Sequence, residues 1–114
     1  MNYRILGRSG VKVSPLGLGT DNFANPTSTK ESIQIIDSAI DAGINFIDTA
    51  EIYPSPCFEK TYGATEEIIG NWLKEKKNRD KIVLASKIAG TGLSWISGGG
   101  KQYSEKNIKI SKKK

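Results

Sequence analysis

The 114-residue chain has no histidine and only one cysteine, Cys57. Histidine and cysteine supply most transition-metal ligands in proteins, so we predict neither a structural nor a catalytic metal. A single cysteine cannot form an internal disulfide. Because no histidine can activate its thiol, we also predict no catalytic role for Cys57.

Long apolar runs are missing as well. A membrane-spanning helix needs about eighteen or more consecutive apolar residues, and the chain has no such stretch. The opening residues, MNYRILGRSG, lack the apolar centre of a signal peptide. We therefore predict a cytoplasmic protein without a membrane partner.

The net charge of +5 lies at one end of the chain. Residues 1–100 are neutral, with 11 basic and 11 acidic side chains, whereas residues 101–114 hold six lysines and one acid. This distribution favours a solvated basic tail and no nucleic-acid partner. A basic module that stacks bases on Trp95 and Tyr103 is the alternative reading of the same residues.

Glycine, proline and capping residues divide the first half of the chain. Apolar runs on both sides of residues 7–10 predict a hairpin with a glycine-containing turn. LGLGT predicts a short strand that ends at Gly19-Thr20, and the polar residues that follow predict a loop. Ser28 and Glu31 have the spacing of a capping box, which predicts the start of a helix.

Apolar spacing then alternates between helix and strand. The first helix should end near Gly43, and its inner face repeats at helical spacing: Ile33, Ile36, Ala39 and Ile40. INFI predicts a second strand, buried on both faces because its residues do not alternate. A second helix is predicted over residues 65–77, with this inner face: Ile68, Ile69, Trp72 and Leu73. KIVLAS predicts a third strand, which ends at Lys87.

The order strand, helix, strand, helix, strand predicts right-handed crossover units in a parallel sheet. From these residues alone, a doubly wound sheet and a barrel both remain open. A glycine-rich loop follows Lys87, and Ser104 could cap a third helix that the lysines at 112–114 interrupt.

Three polar side chains, Asp48, Tyr53 and Lys87, stand at or just beyond the carboxyl ends of predicted strands, where parallel α/β enzymes place their sites. A phenol has a pKa of about 10, and a nearby ammonium would lower it. Such a trio suits general-acid reduction of a carbonyl with a hydride from a cofactor. The alternatives are an Asp48 that bonds a backbone turn and a Tyr53 that packs under its own loop.

Two nucleotide-binding motifs fail on spacing. Gly17 and Gly19 begin a dinucleotide fingerprint, but Asn22 stands where its third glycine belongs. Gly100-Lys101 resembles a phosphate loop, but Trp95 replaces the first glycine. We therefore predict neither a Rossmann nor a phosphate-loop site.

Four segments, in this order and spacing, resemble the amino-terminal part of the aldo-keto reductase family: YRILGRSGVKVSPLGLGT, GINFIDTAEIY, GATEEIIGNWL and KIVLASK. The resemblance covers roughly residues 3–110. It implies a (β/α)₈ TIM barrel closed at its bottom by the hairpin, and an NADP-dependent oxidoreductase of aldehydes and ketones. For this chain it implies an incomplete α/β barrel domain over 1–110, with the hairpin, the first three strands and two to three helices. Residues 111–114 form a basic tail.

The resemblance also implies residue roles. Tyr53 matches the family's proton donor, Lys87 the residue that lowers its pKa, and Asp48 the acid that orients the lysine. Gly19, Thr20 and Asp48 match cofactor-binding positions for NADP. The family's fourth catalytic residue is a histidine, which this chain lacks, and Asp21 stands where the family usually has methionine or an aromatic residue.

A (β/α)₈ barrel takes about 250 residues, so three strands cannot close one. We expect a truncated, poorly stable and inactive chain that lacks most of the NADPH site. The alternative is a non-catalytic binding or regulatory protein of the same ancestry. The predicted partners are a small carbonyl substrate and the nicotinamide cofactor, with no specific protein partner.

Overall fold

The hairpin at the start of the chain forms as predicted. The structure is a computed structural model that describes residues 1–100, 104, 106, 108 and 109. Strands β1 (Arg4–Ile5) and β2 (Lys12–Val13) pair antiparallel. The Leu6 amide closes the turn by donating to the Val11 carbonyl at 2.8 Å. Gly7 and Gly10 have φ values of 55° and 74°, a left-handed conformation that glycine adopts without steric cost.

A parallel sheet and two helices make up the rest of the described fold. The sheet has the order β3-β4-β5, and its strands are β3 (Gly17–Gly19), β4 (Phe46–Asp48) and β5 (Val83–Ala85). The helices are α1 (Thr29–Asp41) and α2 (Ala64–Lys76). Each helix connects two neighbouring parallel strands, so the predicted crossover units are confirmed.

Local sequence signals set the limits of α1. The Glu31 amide donates to the Ser28 hydroxyl at 3.1 Å, and the Ser28 amide donates to the Glu31 carboxylate at 3.2 Å. These bonds form the predicted capping box and satisfy donors that a helix start leaves free. Gly43 follows the helix at φ 97°, as predicted for its C-terminal end.

The core lies between the sheet and the helices. One row of side chains, Leu18, Ile47 and Leu84, is in register across the three strands and faces α1 and α2. The buried members of this core are Phe23, Ile36, Ile47, Ile68, Ile69, Trp72 and Ile82. Ile33, Ile40 and Leu73 pack at its margin, which confirms the predicted inner faces of both helices.

The prediction that the second strand is buried on both faces is wrong. Ile47 is fully buried, but Phe46 and Asp48, which point to the other face, are only partly buried. The helices cover the outer face alone, and three strands do not enclose the inner one. The strand also begins and ends later than INFI, at Phe46 and Asp48.

The described strands form part of a barrel. Within the described residues, β3 and β5 each pair with β4 alone, so each has one free edge. An open sheet of three parallel strands in chain order, with both helices on one face, is the arrangement predicted for an incomplete α/β barrel. No helix in this part of the chain is long and apolar enough to cross a membrane.

The predicted third helix is visible in part. Lys106, Ile108 and Lys109 are helical, and the Ile108 amide donates to the Ser104 carbonyl at 2.9 Å. The basic tail at 111–114 lies outside the described residues.

One hydrogen bond across the helix pair should contribute measurably to stability. The indole of Trp72, which is 2% exposed, donates to the Asp37 carboxylate at 2.8 Å. Asp37→Ala leaves this donor without its partner, so we expect the free energy of unfolding in urea to fall by about 1–3 kcal/mol. Asp41→Ala, an exposed aspartate on the same helix, is the control and should cost less than about 0.5 kcal/mol. Equal effects of the two variants would contradict the assignment.

Candidate active site

Parallel pairing brings the predicted site residues to one edge of the sheet. Asp48 is the last residue of β4 and is in register with Ala85, the last residue of β5. Lys87 follows β5 by two residues, and Tyr53 lies in the connection between β4 and α2. Because both strands end at the same edge, the residues that follow them can meet there.

The Lys87 ammonium contacts both of the other predicted site residues, Asp48 and Tyr53. Its Nζ donates to Asp48 Oδ2 at 2.7 Å and to the Thr49 carbonyl at 2.8 Å. The same nitrogen lies 4.9 Å from the centre of the Tyr53 ring, within the range of a cation–π contact. The structure thus brings together the three side chains that the sequence reasoning named, and their catalytic roles remain predictions.

The surroundings of Lys87 favour its charged form. Burial lowers the pKa of its ammonium, but the hydrogen bond to Asp48 and the negative charge of that carboxylate, with a smaller contribution from Tyr53, outweigh this effect and raise the pKa above 10.5. The amine is therefore a cation at neutral pH. Its side chain is 49% exposed and that of Asp48 is 42% exposed, so solvent screening keeps the stabilisation from this pair small.

The predicted cofactor residues Gly19 and Thr20 lie beside Asp48 at the end of β3. Thr20 is buried, and its hydroxyl donates to the Asp48 carbonyl at 2.8 Å. This bond joins the ends of β3 and β4 and holds the backbone that carries the Asp48 carboxylate. A Cβ atom added at Gly19 would meet no atom of the described residues within 4 Å, so this strand end is open. Cofactor contact by Gly19, Thr20 and Asp48 remains a prediction.

Backbone bonds hold the loop that carries Tyr53. The Ser55 amide donates to the Asp21 carbonyl at 2.8 Å, which links this loop to the end of β3. The Gly63 amide donates to the Tyr53 carbonyl at 3.0 Å, just before α2 begins. Asp21, the departure from the family pattern, therefore contributes a main-chain bond to the site while its side chain is exposed.

Two features of the site have no signal in the sequence. One is the Thr49 carbonyl, which is a second acceptor for Lys87. Any residue type offers such a carbonyl, so sequence alone cannot point to it. The other is the hydrogen bond from the Thr20 hydroxyl to the Asp48 carbonyl, because a backbone acceptor on a neighbouring strand has no sequence pattern.

The described residues show no metal-binding arrangement. Across residues 1–100 and the described positions beyond them, no group of three or more cysteine or acidic side chains could hold a metal ion. Cys57 is a partly buried free thiol, and burial raises its pKa.

Thr49 offers a test of the packing under the site. Its hydroxyl is buried and has no hydrogen-bond partner among the residues that the structure describes, an arrangement that costs free energy. Thr49→Val replaces this group by a methyl of similar shape, so we expect the free energy of unfolding to stay equal or rise by up to about 1 kcal/mol. Thr49→Ala, which leaves a cavity instead, should lower it. A loss of more than about 1 kcal/mol in the valine variant would indicate a bond to the hydroxyl.

Comparisons with known proteins agree with this geometry. The model of the aldo/keto reductase family matches residues 15–114. The protein tas of Escherichia coli is 42% identical over 90 residues, which are 79% of this chain and 26% of that protein. The uncharacterized oxidoreductase YrpG of Bacillus subtilis is 47% identical over 89 residues, which are 77% of this chain and 26% of that protein.

A solved structure matches over nearly the whole chain. The holo form of the aldo-keto reductase AKR11C1 from Bacillus halodurans superposes with a TM-score of 0.77 and 31% identity, over 99% of this chain and 34% of that one. This chain therefore spans about a quarter of the length of the curated relatives and a third of the solved one. With its matched domain, its parallel strands and its strand-end trio, the chain belongs to the aldo/keto reductase family and corresponds to the amino-terminal part of the barrel.

Proposed function

We propose that the chain supplies the general acid and its charge partners for NADP-dependent reduction of an aldehyde or ketone. Tyr53 gives its phenolic proton to the carbonyl oxygen, and the product is the corresponding alcohol. NADPH, when bound, supplies the hydride that the carbonyl carbon accepts. The observation that carries the proposal is the Lys87 ammonium, bonded to Asp48 at 2.7 Å and 4.9 Å from the Tyr53 ring.

Each residue of the trio has a distinct part. Proton donation leaves a negative oxygen on Tyr53, and a fixed ammonium beside it stabilises that charge. Asp48 and the Thr49 carbonyl hold the ammonium in place. The raised pKa of Lys87 keeps it charged throughout the neutral range, so it acts as a fixed cation and not as the proton donor.

The edge of the sheet has room for the reacting end of a nicotinamide cofactor. Gly19 has no side chain and its surroundings are open, and Asp48 and Lys87 are each about half exposed at the same edge. We propose that Gly19, Thr20 and Asp48 contact this end of NADPH. The remaining contacts, including those to the phosphates, belong in this proposal to barrel strands beyond the three described.

We also propose that these 114 residues do not turn over by themselves. The described part has three parallel barrel strands, so their carboxyl ends surround the candidate site on one side only and leave it open to solvent. An exposed site leaves the Lys87–Tyr53 interaction screened by water, which weakens it. A complete barrel would exclude that water.

The experiment compares the chain with a barrel-length chimera. The chimera joins residues 1–100 to the part of the Bacillus halodurans reductase that follows the position matched to residue 100. Both proteins receive NADPH and 4-nitrobenzaldehyde, and the absorbance of NADPH is followed, with NADH in a parallel assay. We expect turnover with NADPH in the chimera and none in the 114-residue chain.

Other outcomes would contradict parts of the proposal. Turnover by the 114-residue chain that Tyr53→Phe abolishes would contradict its inactivity. A preference for NADH would be assigned to the Bacillus halodurans part of the chimera, because the proposal places the phosphate contacts in that part. A folded chimera that binds NADPH but reduces no aldehyde or ketone would favour the non-catalytic alternative.

A further inference from the structure

Hydrogen bonds continue between the chain segments after β4 and β5, past the last residues of both strands. The Thr49 amide donates to the Ala85 carbonyl at 2.8 Å, and the Glu51 amide donates to the Lys87 carbonyl at 3.0 Å. The Lys87 ammonium returns to the same segment through Asp48 and the Thr49 carbonyl. The backbone and the side-chain tip of Lys87 are therefore both bound to residues 48–51.

Glu51 makes two of the contacts around Lys87. It is only 5% exposed, although it carries a carboxylate. Its amide holds the Lys87 carbonyl, and its Oε2 accepts a hydrogen bond of 3.2 Å from the Ala89 amide. Ala89 is 2% exposed and begins the glycine-rich loop. A buried glutamate thus binds the backbone at Lys87 itself and two residues beyond it.

We propose that Glu51 is a positioning residue for Lys87, which it holds by clamping the backbone between residues 87 and 89. The clamp sets where the lysine side chain starts, and the bonds to Asp48 and Thr49 set where it ends. A long, flexible side chain with both ends fixed has one place for its ammonium, beside Tyr53. The inference rests on the proposed function in that the position of Lys87 matters for catalysis only if Lys87 acts there.

The clamp works through hydrogen bonding and not through the charge of Glu51. Burial lowers the pKa of the Lys87 ammonium, and the groups that raise it are Asp48 and, to a smaller extent, Tyr53. Glu51 is not one of these groups. A neutral side chain of the same length should therefore replace it, whereas a shorter acid should not reach the Ala89 amide.

These two replacements form the central experiment. Glu51→Gln keeps an oxygen acceptor at the same distance and loses the charge. Glu51→Asp keeps the charge and is one methylene shorter. Glu75→Gln, at an exposed glutamate near the end of α2, is the matched control for the loss of one charge. The 114-residue chain is labelled for NMR, and two signals are followed in each variant: hydrogen exchange of the Ala89 amide and the pH titration of the Lys87 ε-carbon.

We expect the glutamine variant and the control to match the parent chain in both signals. In the aspartate variant, exchange of the Ala89 amide should accelerate by about tenfold or more, as expected for the loss of one buried hydrogen bond. The pKa of Lys87 should fall towards its ordinary value of 10.5 as the ammonium moves away from Asp48 and Tyr53. Exchange of the Ile36 amide, in the middle of α1, should not change, which would exclude general unfolding.

The opposite pattern would overturn the proposal. If the aspartate variant keeps the Lys87 titration and the glutamine variant loses it, Glu51 acts through its charge. If exchange at Ala89 accelerates while the Lys87 titration stays the same, Glu51 holds only the glycine-rich loop. If the aspartate variant unfolds, the glutamine variant still tests the proposal. A pKa of Lys87 in the glutamine variant that differs from that of the parent chain would contradict it.

This experiment is independent of turnover. A failure of the chimera to reduce aldehydes would leave the NMR result for Glu51 intact. Conversely, the pKa of Lys87 could stay the same in both Glu51 variants. That result would contradict the role of Glu51 and would leave the proposed roles of Tyr53, Asp48 and Lys87 unchanged.

Discussion

Tyr53→Phe is expected to lower kcat/KM of the barrel-length chimera by about 10²–10⁴-fold, the range for loss of a general acid. The substitution removes the only group to which we assign the proton and keeps the ring beside Lys87. The ring should therefore still pack, so we expect the affinity for NADPH, measured by fluorescence titration, to change little. Steady-state reduction of 4-nitrobenzaldehyde gives the rate.

A second tyrosine provides the matched control. Tyr3 lies in the hairpin at the opposite end of the strands, and its hydroxyl donates to the Gly43 carbonyl at 2.6 Å. Tyr3→Phe also removes one phenolic hydroxyl, but far from the site, so kcat/KM should remain within about twofold. If Tyr53→Phe also retained half of the activity, another group would have to supply the proton.

Lys87→Met is expected to lower kcat/KM by about 10²–10³-fold, the range for removal of one group that stabilises developing charge. The variant leaves Asp48 without the ammonium 2.7 Å away and leaves Tyr53 without the cation 4.9 Å from the centre of its ring. The loss should appear mainly in kcat, because the charge on the phenolic oxygen develops during proton transfer. Lys81→Met, at an exposed lysine just before β5, is the control and should keep the parent activity.

We expect Lys87→Met to stay folded, so that the loss of kcat/KM reflects the missing ammonium. The raised pKa of Lys87 means that its ion pair with Asp48 stabilises the fold fully below pH 10.5 and loses this effect as the pH rises through the folded-state pKa. With the lysine side chain 49% exposed, the contribution is below about 1 kcal/mol. Lys87→Met should therefore shift the urea midpoint only slightly at neutral pH. A large shift in that midpoint would instead assign the loss of rate to folding.

Local signals made much of the fold predictable. The Ser28–Glu31 capping box and the left-handed Gly43 mark the ends of α1 because they depend on residues close in sequence. The inner faces of both helices follow from helical spacing, since burial of one face repeats with the turn. Asp48 and Lys87 could be named because parallel strands end at one edge, so residues 39 positions apart meet there.

The burial of β4 and the hydrogen bond of Thr20 could not be predicted from local sequence, because both depend on residues that are distant in the chain. Spacing predicted burial on both faces of β4, yet Phe46 and Asp48 are only partly buried, since burial requires neighbours that the local pattern cannot supply. No local signal pointed to the hydrogen bond from the Thr20 hydroxyl to the Asp48 carbonyl. Every residue type has a backbone carbonyl. The sequence therefore does not indicate which carbonyl a hydroxyl or ammonium will bind.

The sequence by itself determined the order of the elements, the limits of α1 and the residue types at the strand ends, because spacing and capping act within a few residues. Only the tertiary structure decided that Lys87 binds Asp48 and Thr49 beside the Tyr53 ring, and that Glu51 binds the backbone at Lys87 and at Ala89. These contacts join residues more than thirty positions apart. Their distances are set by the register of β4 against β5, which the folded sheet alone establishes.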